Sequence, residues 1–243
     1  MPNSARDPEE TSRAVELQSG RAYVSVCIWM LTALAAVSSP ASVPAWDVAW
    51  NGPDFSMNAE QRKLLVDYLM GRISYGSFLE QSGVDPASEP GFVEVALREA
   101  MVAHDAVALD YALSLFFRFE PITVEVALIL AELVVQPWHH SHQNIALALQ
   151  DLRAAETADA LAAAALMKPD YLDFDDSHAF ARKCTWALAD IGTPKARRHL
   201  ESLSRCVDPE IASYAQRRLD YWHEELDRKG YNWDGVEWGI DDY

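Results

Sequence analysis

The amino-acid sequence predicts an all-α protein, and three observations lead to that prediction. Half of the 243 residues are hydrophobic, with alanine and leucine prominent among them, a composition that favours helices over sheets. From Met57 onward the apolar residues recur with a period close to that of an α-helix, about 3.6 residues. No stretch shows the sustained alternation of apolar and polar residues that is typical of a half-buried strand.

Four apolar stripes predict the first helices in order along the chain. Each run is about 10 to 14 residues long, the usual length of a globular helix. The breaks between the runs carry Gly, Pro, Asp or Ser, which interrupt helices. The stripes cover Leu64–Leu69, Phe92–Ala100, Leu109–Phe117 and Val124–Leu133, and Gly71 and Pro137 end the first and the last of them.

Two later segments resemble each other and predict a repeated helical pair. The segment from Ser141 reads SHQNIALALQDLRAAETADALAAAAL, and the segment from Ser177 reads SHAFARKCTWALADIGTPKARRHLESL. Both open with Ser-His, continue as an aliphatic helix, turn, and enter a second helix. Their aspartates, Asp151 and Asp190, lie 39 residues apart, which is within the range of paired-helix repeats. We expect each aspartate to accept hydrogen bonds from backbone N–H groups of its turn.

The segment Ala181–Leu219 resembles the HEAT-repeat family. The likeness rests on Arg182, on the run Ala187–Gly192, on the Thr193-Pro194 turn and on Asp208–Ile211, which opens the next helix. Proline at the first turn of a helix costs no hydrogen bond. The resemblance implies a HEAT-like α-solenoid of stacked antiparallel helical hairpins over residues 57–230, with an N-terminal extension (1–56) and an acidic aromatic tail (231–243).

The chain is also similar to a group of bacterial HEAT-repeat proteins associated with polymorphic toxin systems. The residues that carry this likeness are Trp138–His142, Leu149–Leu152, Tyr171–Asp176 and Ala181–Leu188. The resemblance implies an immunity protein that binds and inhibits a cognate toxin.

The charge of the chain limits its partners. The formal net charge is -17 and the pI is about 4.7, so a phosphate backbone would repel the chain and nucleic-acid binding is not expected. An acidic surface suits a basic protein partner, which the second resemblance implies to be a toxin domain. Cys27, Cys184 and Cys206 show no metal-ligand or redox spacing, which favours free, mostly buried thiols and a cytoplasmic protein.

The stretch PWHHSH, Pro137–His142, is the first candidate site. Pro137 ends one helix and Ser141 is a plausible N-cap for the next. Three histidines this close allow zinc ligation, but the adjacent His139 and His140 would diverge and no cysteine lies nearby. Packing within the turn and membership of a partner-binding edge are the alternatives.

The stretch DYLDFDDSH, Asp170–His178, is the second candidate site. It lacks the glycine and the distal glutamate of an EF-hand loop. In stacked repeats this stretch and PWHHSH would emerge on the same edge, where aromatic residues anchor a partner and carboxylates attract it; an ordinary solvated loop is the alternative. The predicted partner-binding residues are Trp138, His139, His140, His142, Tyr171, Asp173, Phe174, Asp175 and Asp176.

The N-terminal segment allows three interpretations. Residues 22–37 form an apolar run followed by small residues and prolines, as in a signal peptide, which would make the protein periplasmic or secreted. The preceding residues lack a positive n-region, and the run is short for a membrane span. The alternatives are a poorly ordered extension before Met57 and an ordered helix packed on the domain. The tail from Tyr231 to Tyr243 is expected either to cap the domain or to bind a partner.

The sequence favours a binding protein over an enzyme. It contains no Gly-rich phosphate loop, no G-x-S-x-G and no H-E-x-x-H. The di-iron hydroxylases of HEAT-like fold use several His-Glu pairs, and this chain has only His223-Glu224. No cofactor and no metal are expected. The alternatives are a general HEAT-repeat scaffold or regulatory adaptor and a metal-dependent enzyme on the same scaffold; the oligomeric state stays open.

Overall fold

The computed structural model describes residues 57–89, 91–119 and 123–224. Over these ranges the chain forms helices and no β-strand, which confirms the predicted all-α class. The predicted extension 1–56 and tail 231–243 lie outside the described residues. Contacts divide the chain into two compact units, one of Met1–Phe92 with Phe117–Phe119 and one of Val93–Phe116 with Glu120–Tyr243.

The described part of the first unit contains α1 (Ala59–Leu69) and α2 (Tyr75–Ser82), which pack against each other. A capping box starts α1: Asn58 accepts from the Gln61 backbone N–H, and the Gln61 side chain accepts from the Asn58 backbone N–H. No apolar stripe predicted α2. It ends at Gly83, whose φ of 66° is a left-handed conformation that suits glycine.

An aromatic cluster fills the first unit. Tyr68 and Tyr75 each stack on Phe78, with ring centroids 5.8 and 6.1 Å away. The rings of Tyr68 and Tyr75 are tilted at 5.2 Å, and Phe119 lies 5.8 Å from Tyr75. Phe78 is fully buried. Burying a side chain of this size stabilises a fold by about 1.5–3 kcal/mol, so this small unit has an apolar core of its own.

The second unit carries the remaining helices. Phe92 and the last three residues of α4 belong to the first unit. Two 3-10 turns, Ala155–Thr157 and Asp170–Asp175, lie between helices of the second unit. The helices are α3 (Phe92–Ala103), α4 (Ala106–Phe119), α5 (Val124–Leu133), α6 (His142–Leu152), α7 (Ala158–Ala164), α8 (His178–Ile191), α9 (Pro194–Leu203) and α10 (Pro209–Asp220).

The two similar sequence segments form corresponding helices. α6 and α8 both begin one residue after the serine of the Ser-His pair. α8 packs against α6, α7, α9 and α10, and α7 packs against α9. Phe180 and Leu188 of α8 are fully buried between these neighbours, so α8 is central to the core of this unit.

The last helix has a break that the sequence did not indicate. The sequence predicts one helix from Pro209 to about Arg228; α10 ends at Asp220, and residues 225–228 lie outside the described residues. Tyr221 leaves helical geometry, with φ -107° and ψ 23°, and residues 222–224 are helical again. This break lets Trp222 turn inward, where it is 3% exposed.

Helices long and apolar enough to span a bilayer do not occur among the described residues.

Candidate functional site

The buried side chain of His139 fixes the connection between α5 and α6. The N–H of Ser141 donates to His139 Nδ1 at 3.1 Å, so the ring proton lies on Nε2, which donates to the Leu133 carbonyl at 2.9 Å. Burial lowers the pKa of His139 below its usual range. The neutral ring gives the carbonyl at the end of α5 a second donor, beside the Gln136 backbone N–H at 2.9 Å.

His142, like His139, donates a hydrogen bond from its ring to a backbone carbonyl in the preceding connection. Its Nε2 donates to the Gln136 carbonyl at 2.8 Å, and the hydroxyl of Tyr171 donates to its Nδ1 at 3.0 Å. Burial, with the nearby His139, lowers the pKa of His142 to about 4. Both histidines are 1% exposed, so they hold the turn as neutral rings, one of the alternatives that the sequence left open.

Tyr171 joins the two predicted loops. It belongs to the 3-10 turn Asp170–Asp175, and besides its hydrogen bond to His142 it stacks on His140 with ring centroids 4.5 Å apart. Burial raises the pKa of the Tyr171 hydroxyl to about 12, so it remains a hydrogen-bond donor at neutral pH. The PWHHSH loop and the acidic stretch therefore lie side by side, as the repeat alignment predicts.

The exposed surface formed by the PWHHSH loop and the acidic stretch carries acidic and aromatic side chains. Phe174 is 80% exposed, an uncommon position for a phenylalanine. Asp173 and Asp176 on either side of it are exposed, and the exposed His140 is adjacent through Tyr171. We call the acidic rim the set Trp138, His140, Tyr171, Asp173, Phe174, Asp175 and Asp176.

Two of the predicted partner-binding residues do not reach the surface. His139 and His142 are buried and their ring nitrogens are used by backbone and tyrosine. Their buried rings pack beneath the acidic rim, where His142 is hydrogen-bonded to Tyr171, and they cannot contact a partner themselves. Asp175 is half-buried, and its Oδ2 accepts from the Ala179 N–H at 3.0 Å, so this carboxylate caps α8.

Ser141 occupies the predicted N-cap position, but its side chain does not cap α6. Its hydroxyl donates instead to the carboxylate of Asp110 on α4. Burial raises the pKa of Asp110 above its usual range, while the hydrogen bond from Ser141 opposes the rise. Asp110 therefore anchors the connection before α6 to a helix that lies 31 residues earlier in the chain.

His104 is a second residue that the sequence did not indicate. It connects α3 and α4 in a left-handed conformation, with φ 49°. Its ring stacks on Trp138 with centroids 5.2 Å apart, and Trp138 meets His139 edge to face at 4.9 Å. The only sequence signal was a His-Asp pair at a helix break, which is too general to predict this contact.

The acidic loop turns sharply into α8. Asp176 and Ser177 both have left-handed backbones, with φ 52° and 62°, a conformation that costs a residue other than glycine about 1–2 kcal/mol. The rim is therefore a fixed turn, tied at one end by the Tyr171–His142 hydrogen bond and at the other by the Asp175 cap.

Metal ligation requires three or more donors that converge. In the described ranges no three His, Cys, Asp or Glu side chains form such a group. In the acidic rim, the exposed phenyl ring of Phe174 lies between the exposed side chains of Asp173 and Asp176 in the sequence.

No protein-family model, curated protein or solved structure matches this chain. The likeness of residues 181–219 to HEAT repeats is a prediction from the sequence.

Proposed function

We propose that the chain is a protein-binding α-solenoid of the HEAT type, and that it acts as an immunity protein that binds and inhibits a cognate bacterial toxin. The contacts of α8 with α6 and α10, and of α7 with α9, support the solenoid, because stacked repeats bring equivalent helices into contact. The resemblance of Trp138–His142 and Tyr171–Asp176 to toxin-associated proteins supports the immunity role.

The observation that carries the proposal is the exposed Phe174 between carboxylates. A phenyl ring that is 80% exposed gains little within its own fold, and aromatic anchors at the centre of an interface contribute most of its binding energy. The supporting turn is fixed before binding, so little conformational entropy is lost when a partner docks.

The negative charge of the acidic rim and of the whole chain indicates a basic partner. The carboxylates of Asp173 and Asp176 are exposed beside Phe174, on a chain whose net charge is -17. Such a field attracts a basic surface and accelerates association, more strongly at low salt. A basic toxin domain with an apolar pocket near its active site fits this combination of an apolar anchor and surrounding acids.

Co-expression with the product of the adjacent gene tests the proposal. We expect the two proteins to co-purify and the chain to restore growth of cells that express the toxin. Phe174→Ala and the double variant Asp173→Lys/Asp176→Lys should lose both effects. Glu156→Lys is the matched control, since Glu156 is exposed beyond the far end of α6, roughly 16 Å along that helix from the rim.

The outcomes separate the competing functions. A complex without growth rescue would favour a general HEAT-repeat scaffold. The absence of both the complex and the rescue would remove the immunity hypothesis.

A further inference from the structure

A groove of about 520 Å³ lies where α8 and α10 meet, and no residue of the acidic rim lines it. Its volume falls within the range of about 300–1,000 Å³ that is usual for small-molecule sites. Two aromatic residues belong to the lining, Trp186 of α8 and Tyr221 just after α10. The groove is therefore a candidate binding site for a small ligand that can pack on aromatic rings.

The charged side chains of the groove balance each other. The lining contains two guanidinium groups, those of Arg217 and Arg218, and two carboxylates, those of Asp190 and Glu224. Because these charges are equal in number, the groove itself favours neither an anion nor a cation. The net charge of -17 on the whole chain further opposes the approach of an anion. The charge balance thus favours an uncharged ligand.

The polar side chains offer hydrogen-bond donors and acceptors to such a ligand. The Gln150 amide donates to the Asp190 carboxylate at 2.7 Å, and Asp190 is 7% exposed, so this pair is held in place at the wall of the groove. Arg217 and Glu224 are exposed and add a planar donor group and an acceptor group. A sugar hydroxyl both donates and accepts, so neighbouring hydroxyls can pair with guanidinium and carboxylate groups together.

The aromatic rings provide an apolar surface beside these polar groups. The guanidinium carbons of Arg182 and Arg218 lie 5.7 and 5.4 Å from the ring centre of Trp186. Trp186 nonetheless remains 41% exposed, and Tyr221 is 54% exposed. The C–H face of a sugar ring packs well on an aromatic ring, because the negative face of the ring attracts weakly positive hydrogens. A saccharide therefore combines the two properties that the groove favours, an apolar face and a border of hydroxyls.

We propose that this groove binds a short uncharged saccharide. One sugar ring packs on the exposed part of Trp186 and a second lies beside Tyr221. The hydroxyls form hydrogen bonds with Arg217, Asp190 and Glu224. An uncharged aromatic compound would also pack on the rings, but it would remove water from the polar groups without replacing their hydrogen bonds. The site is separate from the acidic rim, so the proposal does not rest on the immunity function.

A glycan microarray probed with the full chain tests the proposal. The array carries neutral, sialylated and sulfated glycans, and we expect the wild type to bind neutral glycans in preference to the acidic ones. Isothermal titration calorimetry with the strongest neutral glycan in free form then gives a dissociation constant. Trp186→Leu and Tyr221→Ala should each weaken binding at least tenfold, which corresponds to about 1.4 kcal/mol.

The acidic rim supplies the matched control. Phe174→Ala removes an exposed aromatic ring that does not line the groove, and it should leave the dissociation constant for the glycan unchanged. Tyr221 is more than half exposed, so its truncation disturbs the fold little even if Trp186→Leu is destabilising. Thermal unfolding confirms that each variant is folded.

Four results would overturn the proposal. Binding of no neutral glycan would show that the groove is not a saccharide site. A preference for sialylated or sulfated glycans would indicate an anion site at the arginines. Equal affinity of the wild type, Trp186→Leu and Tyr221→Ala would place the glycan elsewhere on the chain. Tighter binding of indole than of any glycan in calorimetry would assign an aromatic ligand to the groove.

Discussion

His142→Phe probes the buried support beneath the acidic rim. The imidazole is 1% exposed and makes two hydrogen bonds, to the Gln136 carbonyl and from the Tyr171 hydroxyl. Phenylalanine replaces the ring with another planar ring and removes both contacts. Phe180, which meets the imidazole edge to face at 5.6 Å, can still pack against it.

The loss of stability in His142→Phe depends on the two groups that lose a hydrogen bond, the Gln136 carbonyl and the Tyr171 hydroxyl. The Gln136 carbonyl, in the connection that follows α5, loses the imidazole as its hydrogen-bond partner, and a polar group left unsatisfied costs about 1–3 kcal/mol. Tyr171 is half-buried and can turn its hydroxyl to water. We therefore expect the free energy of unfolding to fall by about 2 kcal/mol at pH 7.

The same substitution changes how stability depends on pH. The pKa of His142 is about 4 when folded and about 6.5 when unfolded, so between these values the unfolded chain binds a proton that the folded chain does not. Stability from this residue is complete above pH 6.5 and is lost as the pH falls towards 4. At about 1.4 kcal/mol per pKa unit the loss of stability is at most about 3 kcal/mol, and it is complete only when the pH is below the pKa of the folded state.

Other groups around His142 titrate in both proteins. His139 also has a lowered pKa and loses stability on acidification, whereas Asp110, with a raised pKa, loses stability as the pH rises. Comparison of wild type and His142→Phe cancels these contributions. Urea unfolding followed by circular dichroism at pH 7, 6, 5 and 4.5 should show the gap narrowing from about 2 to below about 1 kcal/mol. A gap that stays constant or widens on acidification would refute the assignment of a neutral, hydrogen-bonded imidazole.

Three further substitutions or measurements test other parts of the structure. Ser177→Gly should raise the free energy of unfolding by about 0.5–1 kcal/mol, because it relieves a left-handed backbone and removes a buried hydroxyl without a partner; a loss of stability in urea unfolding would contradict this. Leu149→Ala, at a fully buried position, should lower the free energy of unfolding by about 2–5 kcal/mol, whereas Leu128→Ala, at a site 44% exposed, should cost less than about 1 kcal/mol; equal losses would contradict the assigned core. In a Cys27→Ser background, Cys206 should react with a disulfide reagent at least a hundredfold faster than Cys184, whose thiol pKa is raised by complete burial; comparable rates by absorbance would show that Cys184 is accessible.

The sequence predicted the helices where one strong local signal marked them. Pro194 and Pro209 lie in the first turns of α9 and α10, as predicted, and the residues before them, Thr193 and Asp208, cap these helices. By contrast, α2 carries a glycine and two serines in eight residues and buries only Phe78 and Ser82, so its apolar period was too weak to detect.

The candidate site was predicted only in part, because its contacts join distant parts of the chain. The adjacency of the two loops followed from the repeat spacing. The hydroxyl of Ser141 was expected to cap its own helix, but Asp110 competes for it from α4. Asp190 accepts from Gln150 on α6, a contact between helices that the sequence did not indicate. These hydrogen bonds join residues at different helices. They depend on how the helices pack, which cannot be predicted from the local sequence pattern.

A groove of about 520 Å³, lined in part by Trp186 and Arg218, was not predicted for the same reason. The two residues are 32 positions apart in the sequence and meet only when α8 and α10 pack. Each of them alone resembles an ordinary residue on a helix surface.

The dissociation constant for the adjacent gene's product tests the central claim most directly. Isothermal titration calorimetry would compare wild type, Phe174→Ala and Leu128→Ala, which removes a partly exposed apolar side chain on α5. We expect at least tenfold weaker binding for Phe174→Ala, which corresponds to about 1.4 kcal/mol, and an unchanged dissociation constant for Leu128→Ala. Equal affinity of wild type and Phe174→Ala would contradict the claim that the acidic rim is the docking surface.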